Sequence, residues 1–280
     1  MPAKTFFTVG EPGRYDPTDF AMSMWGPDSL NGPAVCGVAA AAAEKAGHRE
    51  GFTPARFTLD LFKNARRLPT VPTTRILREG RRIRVVEVSV TQYDGDSEIL
   101  AARGTVVFLK NGTNPPGGRW SRPAEANTFR PPADSADTDL PYFRTDRTEW
   151  SRSMDDCQNA DRLSLWSKPI PVADGEELTP FQRAVIAAES TSLVTNVGDG
   201  GIGFINCDLT VALTRLPVGN RIGVESDSHV EDAGLSVGTA TLHDECGQFG
   251  IGLVTAIDNT HAMIDFSTVT PPSFRAAERS

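Results

Sequence analysis

The chain has 280 residues, with 28 Lys and Arg against 36 Asp and Glu, which gives a formal net charge of −8. This length suits one large domain or two ordinary ones, and an apolar fraction of 39% is typical of globular proteins. The negative charge argues against nucleic acid or anionic membrane partners, which need a basic face, and no apolar run approaches the roughly 20 residues that cross a bilayer.

The first predicted element is an Ala-rich helix, PAVCGVAAAAAEKAG, at Pro33–Gly47. Small side chains let such a helix pack closely across a curved sheet, and Pro33 suits a first helical turn because its missing N–H is no loss there. Alternating apolar and polar residues over 81–110 then predict two strands. The residues Tyr93-Asp-Gly-Asp96 between them predict a hairpin turn.

The middle of the chain has a different composition. From Asn111 to about Leu140 it is rich in Pro, Gly, Asn and Asp and shows no apolar periodicity. We therefore divide the chain into an N-terminal unit at 1–112, a linker at 113–160 and a C-terminal unit at 161–280. Both units have ordinary domain size.

The C-terminal unit repeats the order of the first. A helix is predicted over Thr179–Asn196, with Thr179 as N-cap and Pro180 in the first turn. Long β-like runs follow over 221–230 and 234–257, with a turn at His243–Gly247. The sequence GxGxxG at Gly198–Gly203 follows a helix and precedes a strand, the reverse of a pyrophosphate site, so we interpret it as a loop.

The two units also share a short motif. TPARFTLDLFKNARRLP at 53–69 aligns without a gap with GIGFINCDLTVALTRLP at 201–217, so that Asp60 matches Asp208 and Arg67 matches Arg215. One helix wrapped by a curved antiparallel sheet, present twice, is the double hotdog arrangement, of class α+β. Two unrelated α+β domains are the alternative. Sheet edges left open in each unit predict a homo-oligomer.

The sequence resembles the acyl-CoA thioesterase II (TesB-like) family, in its actinobacterial thioesterase-like branch. The resemblance rests on GFTPARFTLDLF, REGRRIRVVEVSV, FINCDLTVALTRLPVGNRIGVES and VGTATLHDECG, which start at Gly51, Arg78, Phe204 and Val237. It implies a double hotdog fold, an acyl-CoA substrate, and hydrolysis to fatty acid and CoA by activated water without a covalent intermediate, metal or organic cofactor.

The resemblance also implies candidate site residues. In the family, an acid on the second helix, a Thr two places before the strand Asp, and a Gln on the last strand hold the water. The matching positions here are Glu189, Asn206 and Thr255. All three residue types differ from the family pattern, and small changes of reach can lower rates strongly. Asp208 is a further candidate, although its recurrence as Asp60 favours a structural role.

The resemblance places a Gly-rich turn at the entry to the first helix, where N–H groups would bind the carbonyl oxygen. Gly32 occupies this position, and because Pro33 has no N–H, Gly32 or Ala34 must be the donor. The first helix has no acid opposite Glu189; Glu44 lies several positions later. We therefore expect one site per chain.

Other readings remain open at this point. A non-catalytic acyl-CoA-binding or regulatory protein could use the same fold. A hydratase or dehydratase would need a His in the site, and His48, His229, His243 and His261 occupy no suitable helix-facing position; we expect His243 to be solvated. The arginine run Arg75, Arg78, Arg81, Arg82 and Arg84 is either a solvated hairpin face or a clamp for CoA phosphates.

The four cysteines, Cys36, Cys157, Cys207 and Cys246, form no CxxC motif, which argues against a zinc ribbon or a thioredoxin-like site. Cys36 and Cys207 lie in apolar runs, so we expect them to be reduced and packed in the core. Reduced thiols, and an amino terminus without the apolar core of a secretory signal, predict a cytoplasmic protein.

Overall fold

The structure is a computed structural model that describes residues 4–11, 13–123, 129–133 and 139–269. Within these residues, the first half of the chain contains one α-helix and six strands: β1 (Phe7–Val9), β2 (Tyr15–Pro17), α1 (Gly32–Gly47), β3 (Phe52–Leu61), β4 (Thr70–Glu79), β5 (Ile83–Asp94) and β6 (Ser97–Lys110). The helix and the β5–β6 hairpin lie where the sequence predicts them. The described helices are too short or too polar to cross a membrane.

The described residues of the second half form two shorter α-helices and nine strands. They are β7 (Tyr142–Thr145), β8 (Leu163–Ser167), α2 (Pro180–Ala188), α3 (Thr191–Asn196), β9 (Val197–Gly198), β10 (Gly201–Ile202), β11 (Phe204–Asn206), β12 (Asp208–Leu213), β13 (Ile222–Asp232), β14 (Leu235–Asp244) and β15 (Gly247–Asp258). The GxGxxG segment lies in the small β9–β10 hairpin, as predicted for a loop.

Thirteen of the described strands form one continuous antiparallel sheet in the order β1-β2-β4-β5-β6-β3-β12-β15-β14-β13-β8-β7, with β11 also on β15, and β9 and β10 form a separate hairpin. The two halves meet where β3 pairs with β12, and Asp60 lies directly opposite Asp208. These two strands are therefore not open edges, in contrast to the expectation of separate edges in each half.

The helices lie on one face of this sheet and form the core with it. Val86, Val88 and Val90 of β5 are fully buried under α1. The small residues of α1 allow a close approach to α2, because a Cβ at Gly37 would lie only 3.1 Å from Ile186 Cγ1. This contact brings the start of α1 close to the end of α2.

The predicted second helix is interrupted. The sequence predicts one helix over Thr179–Asn196, but α2 ends at Ala188 and α3 begins at Thr191. The residues at the break, Glu189 and Ser190, belong to a Glu-Ser-Thr-Ser run, and Ser and Thr compete with backbone hydrogen bonding in helices. Glu189 is therefore the C-cap residue of α2.

Several expectations about packing are wrong. The predicted linker contributes β7 to the sheet, and its Phe129 ring stacks on His243 at 4.5 Å. His243 is therefore buried and not solvated, and burial lowers its pKa to about 4. Cys207 is exposed and not in the core, whereas Cys36 is buried as expected.

Candidate active site

The candidate site lies where the N-terminus of α1 meets the break between α2 and α3. Glu189 is 9% exposed, and its carboxyl group packs against Gly32, so closely that a Cβ atom at Gly32 would overlap Oε1. Asn206, at the end of β11, donates a hydrogen bond from Nδ2 to Glu189 Oε1 at 3.2 Å. The structure thus brings three of the sequence-predicted residues together.

Asp208 and Thr255 have different positions. Asp208 accepts a hydrogen bond from the Thr255 N–H at 2.7 Å, and its carbonyl oxygen accepts one from Asn206 Nδ2 at 3.4 Å. It therefore orients Asn206 and ties β12 to β15. Thr255 alternates with the buried Val254 and Ala256, so its side chain lies on the outer face of the sheet, away from Glu189. The structure does not bring the Thr255 side chain into the site.

The environment of Glu189 favours its neutral form. Burial raises the pKa of Glu189 to about 8, and the hydrogen bond from Asn206 acts in the opposite direction. Burial also raises the pKa of the nearby Cys36 thiol, with a smaller contribution from the charge of Glu189. A carboxyl group with a pKa near neutral pH is suited to exchange protons with water.

The start of α1 leaves one N–H group for a ligand. Pro33 has none, and the Ala34 N–H donates to Asn31 Oδ1 at 2.9 Å. Asn31 is itself held by its Nδ2, which donates to Phe20 O at 2.9 Å and Met22 O at 3.3 Å. Within the described ranges, the Gly32 N–H has no protein acceptor. The sequence left Gly32 and Ala34 as alternatives, and the structure favours Gly32.

A cavity of about 460 Å³ opens onto these residues; we call it the Glu189 cavity. Apolar side chains form much of its wall, including residues that the sequence reasoning did not identify: Met22, Met24, Trp25, Leu61, Phe62, Ile205, Ile264 and Phe266. A mostly apolar wall with a few polar groups that fix orientation is typical of small-molecule sites. Met22, Met24 and Trp25 come from a loop whose composition gave no signal of a site.

The other helix start is closed. Thr179 caps α2 as predicted, and its hydroxyl donates to Glu44 Oε2 at 2.6 Å, while Gln182 Nε2 donates to the same oxygen at 3.0 Å. Glu44 of α1 thus lies at the start of α2, and protein donors bind its carboxylate. This arrangement supports the expectation of one site per chain.

In the described part of the chain, no three His, Cys, Asp or Glu side chains are placed to bind one metal ion together. The arginine run lies on and next to the β4–β5 hairpin. Arg75 pairs there with Glu87 at 3.2 Å, and Arg84 with Glu79 at 3.4 Å. Two of the five arginines are therefore already in ion pairs on this hairpin.

Comparison with solved structures identifies the fold. The chain is similar to a tesB protein from Mycobacterium avium subsp. paratuberculosis, with a TM-score of 0.59 and 16% identity, over 90% of this chain and 95% of that one. It is similar to the acyl-CoA thioesterase II TesB2 of Mycobacterium marinum, with a TM-score of 0.60 and 12% identity, over 91% and 95%. It is also similar to a hot dog fold protein of unknown function from Alicyclobacillus acidocaldarius, with a TM-score of 0.62 and 14% identity, over 91% of this chain and 96% of that one. The fold is therefore an α+β hotdog fold.

The sequence itself carries the family match. Residues 21–109 match the family model for the acyl-CoA thioesterase N-terminal domain. This match over the N-terminal part of the chain agrees with the resemblance to the TesB-like family that the motifs indicate. A comparison with curated proteins gives no significant match.

Proposed function

We propose that the chain is a double hotdog of two tandem repeats, at 1–112 and 161–280, joined by a segment at 113–160 that adds β7 to the second repeat. Two relationships support this. The helix N-caps Asn31 and Thr179 are separated in the chain by the same number of residues as Asp60 and Asp208. In addition, Asp60 and Asp208 lie opposite each other where β3 pairs with β12. A cytoplasmic homo-oligomer that needs no cofactor stays a prediction from the sequence.

We further propose that the protein hydrolyses acyl-CoA thioesters to fatty acid and CoA. The observation that carries this proposal is the contact between the buried Glu189 carboxyl group and Gly32 at the N-terminus of α1. It places a proton acceptor next to an unused N–H at the positive end of a helix. A thioester carbonyl needs both groups, because water must lose a proton as the carbonyl oxygen gains charge.

The proposed reaction has two steps. Ionised Glu189 takes a proton from water as the water oxygen attacks the carbonyl carbon, and the Gly32 N–H binds the oxyanion that forms. The tetrahedral intermediate then collapses, the carbon–sulfur bond breaks, and Glu189 returns its proton to the leaving thiolate. Asn206 orients the Glu189 carboxylate, and Asp208 positions Asn206. The products are the free acid and CoA thiol, without a covalent enzyme intermediate.

Binding without catalysis is the second candidate. The Thr255 side chain lies on the outer face of the sheet, so it does not help Glu189 and Asn206 to orient a water. An acyl-CoA-binding or regulatory protein would retain the cavity while lacking an efficient water site.

The test is release of free thiol from acetyl-, octanoyl- and palmitoyl-CoA by the purified protein, with acyl-CoA binding measured by calorimetry in parallel. The proposal expects turnover by the wild type and its loss in Glu189→Gln, with binding retained. Binding without turnover of any ester by the wild type would contradict the hydrolase and support the binder. If the protein shows no binding and no turnover of any ester, both candidate functions are excluded.

A further inference from the structure

A second cavity adjoins the first one at the reacting groups. This cavity, of about 230 Å³, is here called the Phe143 cavity. Asn31, Pro33 and Leu193 line both cavities. Gly32 lies between two of these residues in the chain, and Glu189 immediately precedes Ser190, which lines the Phe143 cavity. The proposed reaction centre therefore sits at the junction of two cavities.

The two cavities differ in the polarity of their walls. The Phe143 cavity is enclosed chiefly by apolar side chains, among them Phe20, Phe143, Leu165, Ile170, Ile186 and Ala187. Its charged residues are partly exposed: side-chain exposure is 30% for Lys4, 31% for Lys168 and 40% for Asp139, which places them on the solvent side. The Glu189 cavity also contains Ser23, Lys63, Asn64 and Ser192, which can bind polar groups.

An acyl-CoA presents two unlike arms on either side of its reacting carbonyl. The acyl arm is hydrocarbon, and burying each CH₂ group is worth about 0.8 kcal/mol. The pantetheine arm carries amides and leads to phosphates, so it needs hydrogen-bond partners and cations. Taking the proposed thioesterase function as given, we propose that the acyl chain occupies the Phe143 cavity and the pantetheine arm occupies the Glu189 cavity, with Leu193 as the residue that separates them.

Leu193 is the residue of the shared wall whose side chain is fixed neither by hydrogen bonds nor by a ring. The Asn31 side chain is held by hydrogen bonds to Phe20 O, Met22 O and the Ala34 N–H, and Pro33 is rigid because of its ring. Leu193 is only partly buried and lies in the short α3, just after the helix break. A change of its rotamer joins the cavities, so Leu193 and the Phe143 cavity determine which acyl chains are accepted.

The experiment compares kcat/KM for acetyl-, octanoyl- and palmitoyl-CoA in Ile170→Trp, which fills the Phe143 cavity, with Met24→Trp as a matched control in the Glu189 cavity. Both residues are partly exposed, which limits the cost to folding. Ile170→Trp is expected to lower palmitoyl-CoA turnover by about tenfold or more relative to acetyl-CoA. Met24→Trp is expected to change all three esters alike, because they share the pantetheine arm.

The reverse pattern, with chain-length dependence only in Met24→Trp, would overturn the assignment. So would a uniform effect of both variants. Phe20→Ala and Leu193→Ala enlarge the acyl path and should favour longer chains. If the wild type hydrolyses no ester, the proposed hydrolase function fails, but the cavity assignment can still be tested. Binding of the same esters then tests it, since Ile170→Trp must remove the gain in affinity with chain length.

Discussion

The carboxyl group of Glu189 lies against the Cα atom of Gly32, so the end of α2 and the start of α1 form one site. Only glycine fits there, because any Cβ would overlap the Glu189 side chain. The same contact buries the carboxyl group and raises its pKa to about 8. One steric relationship therefore explains both the position of the proposed base and its readiness to exchange protons.

Gly32→Ala should destabilise the protein by about 1–3 kcal/mol, because the added methyl group must displace the Glu189 carboxyl group. It should also abolish most turnover. The control is Gly198→Ala, where a Cβ meets nothing within 4 Å. In a double-mutant cycle measured by denaturant unfolding, Glu189→Ala should recover part of the stability lost in Gly32→Ala. Simple additivity of the two changes would argue against the contact.

Glu189→Gln should lower kcat by about 10²–10⁴-fold, the usual contribution of a general base. Gln keeps the shape of the side chain and can still contact Asn206, so the KM should change little. Glu44→Gln is the matched control, since Glu44 is the acid at the other helix start and is bound by Thr179 and Gln182. Measuring thiol release by both variants distinguishes the roles of Glu189 and Glu44. Equal losses of turnover would mean that both carboxyl groups support the fold and that neither acts as the base.

The buried carboxyl group also predicts how stability depends on pH. The pKa of Glu189 is about 8 in the folded state against 4.5 as its ordinary value, so the folded state binds the extra proton. The stability present at low pH is therefore lost as the pH rises through about 8, by up to about 5 kcal/mol. Glu189→Gln removes this dependence. Its free energy of unfolding relative to wild type should rise between pH 5 and pH 9; a constant difference would contradict a buried ionisable group.

Thr255→Val should leave turnover within about twofold of wild type, because its side chain lies on the outer face, while the backbone N–H that bonds Asp208 is retained. Asn206→Ala should lower turnover strongly in the same assay. A large loss in Thr255→Val with unchanged stability would place that side chain in the reaction after all.

Periodicity and composition predicted much of the fold. The start of α1, the β5–β6 hairpin and the turn between β14 and β15 follow from alternation, Pro position and turn residues, which act locally. The buried state of His243 could not be predicted in this way, because it depends on Phe129 from a segment with the composition of a linker. Long-range packing leaves no local signal of that kind.

The site was predictable only where its residues stand out in the local sequence. Glu189 stood out as an acid in an otherwise apolar helix, and Gly32 as a glycine at a helix entry. A count along the last strand predicts Thr255, but such a count does not determine which face of the sheet the helices cover. The break after Ala188 and the loop with Met24 and Trp25 depend on tertiary contacts, so the shape of the cavity appears only in the structure.

The most direct test of the central claim is the pH dependence of kcat/KM for an acyl-CoA, compared between wild type and Asn206→Ala. Wild-type activity should rise with pH and level off above about pH 8, where Glu189 is ionised. Asn206→Ala should move this rise to higher pH, since its hydrogen bond favours the charged carboxylate. A flat profile, or activity that falls as the pH rises from 6 to 9, would contradict Glu189 as the base.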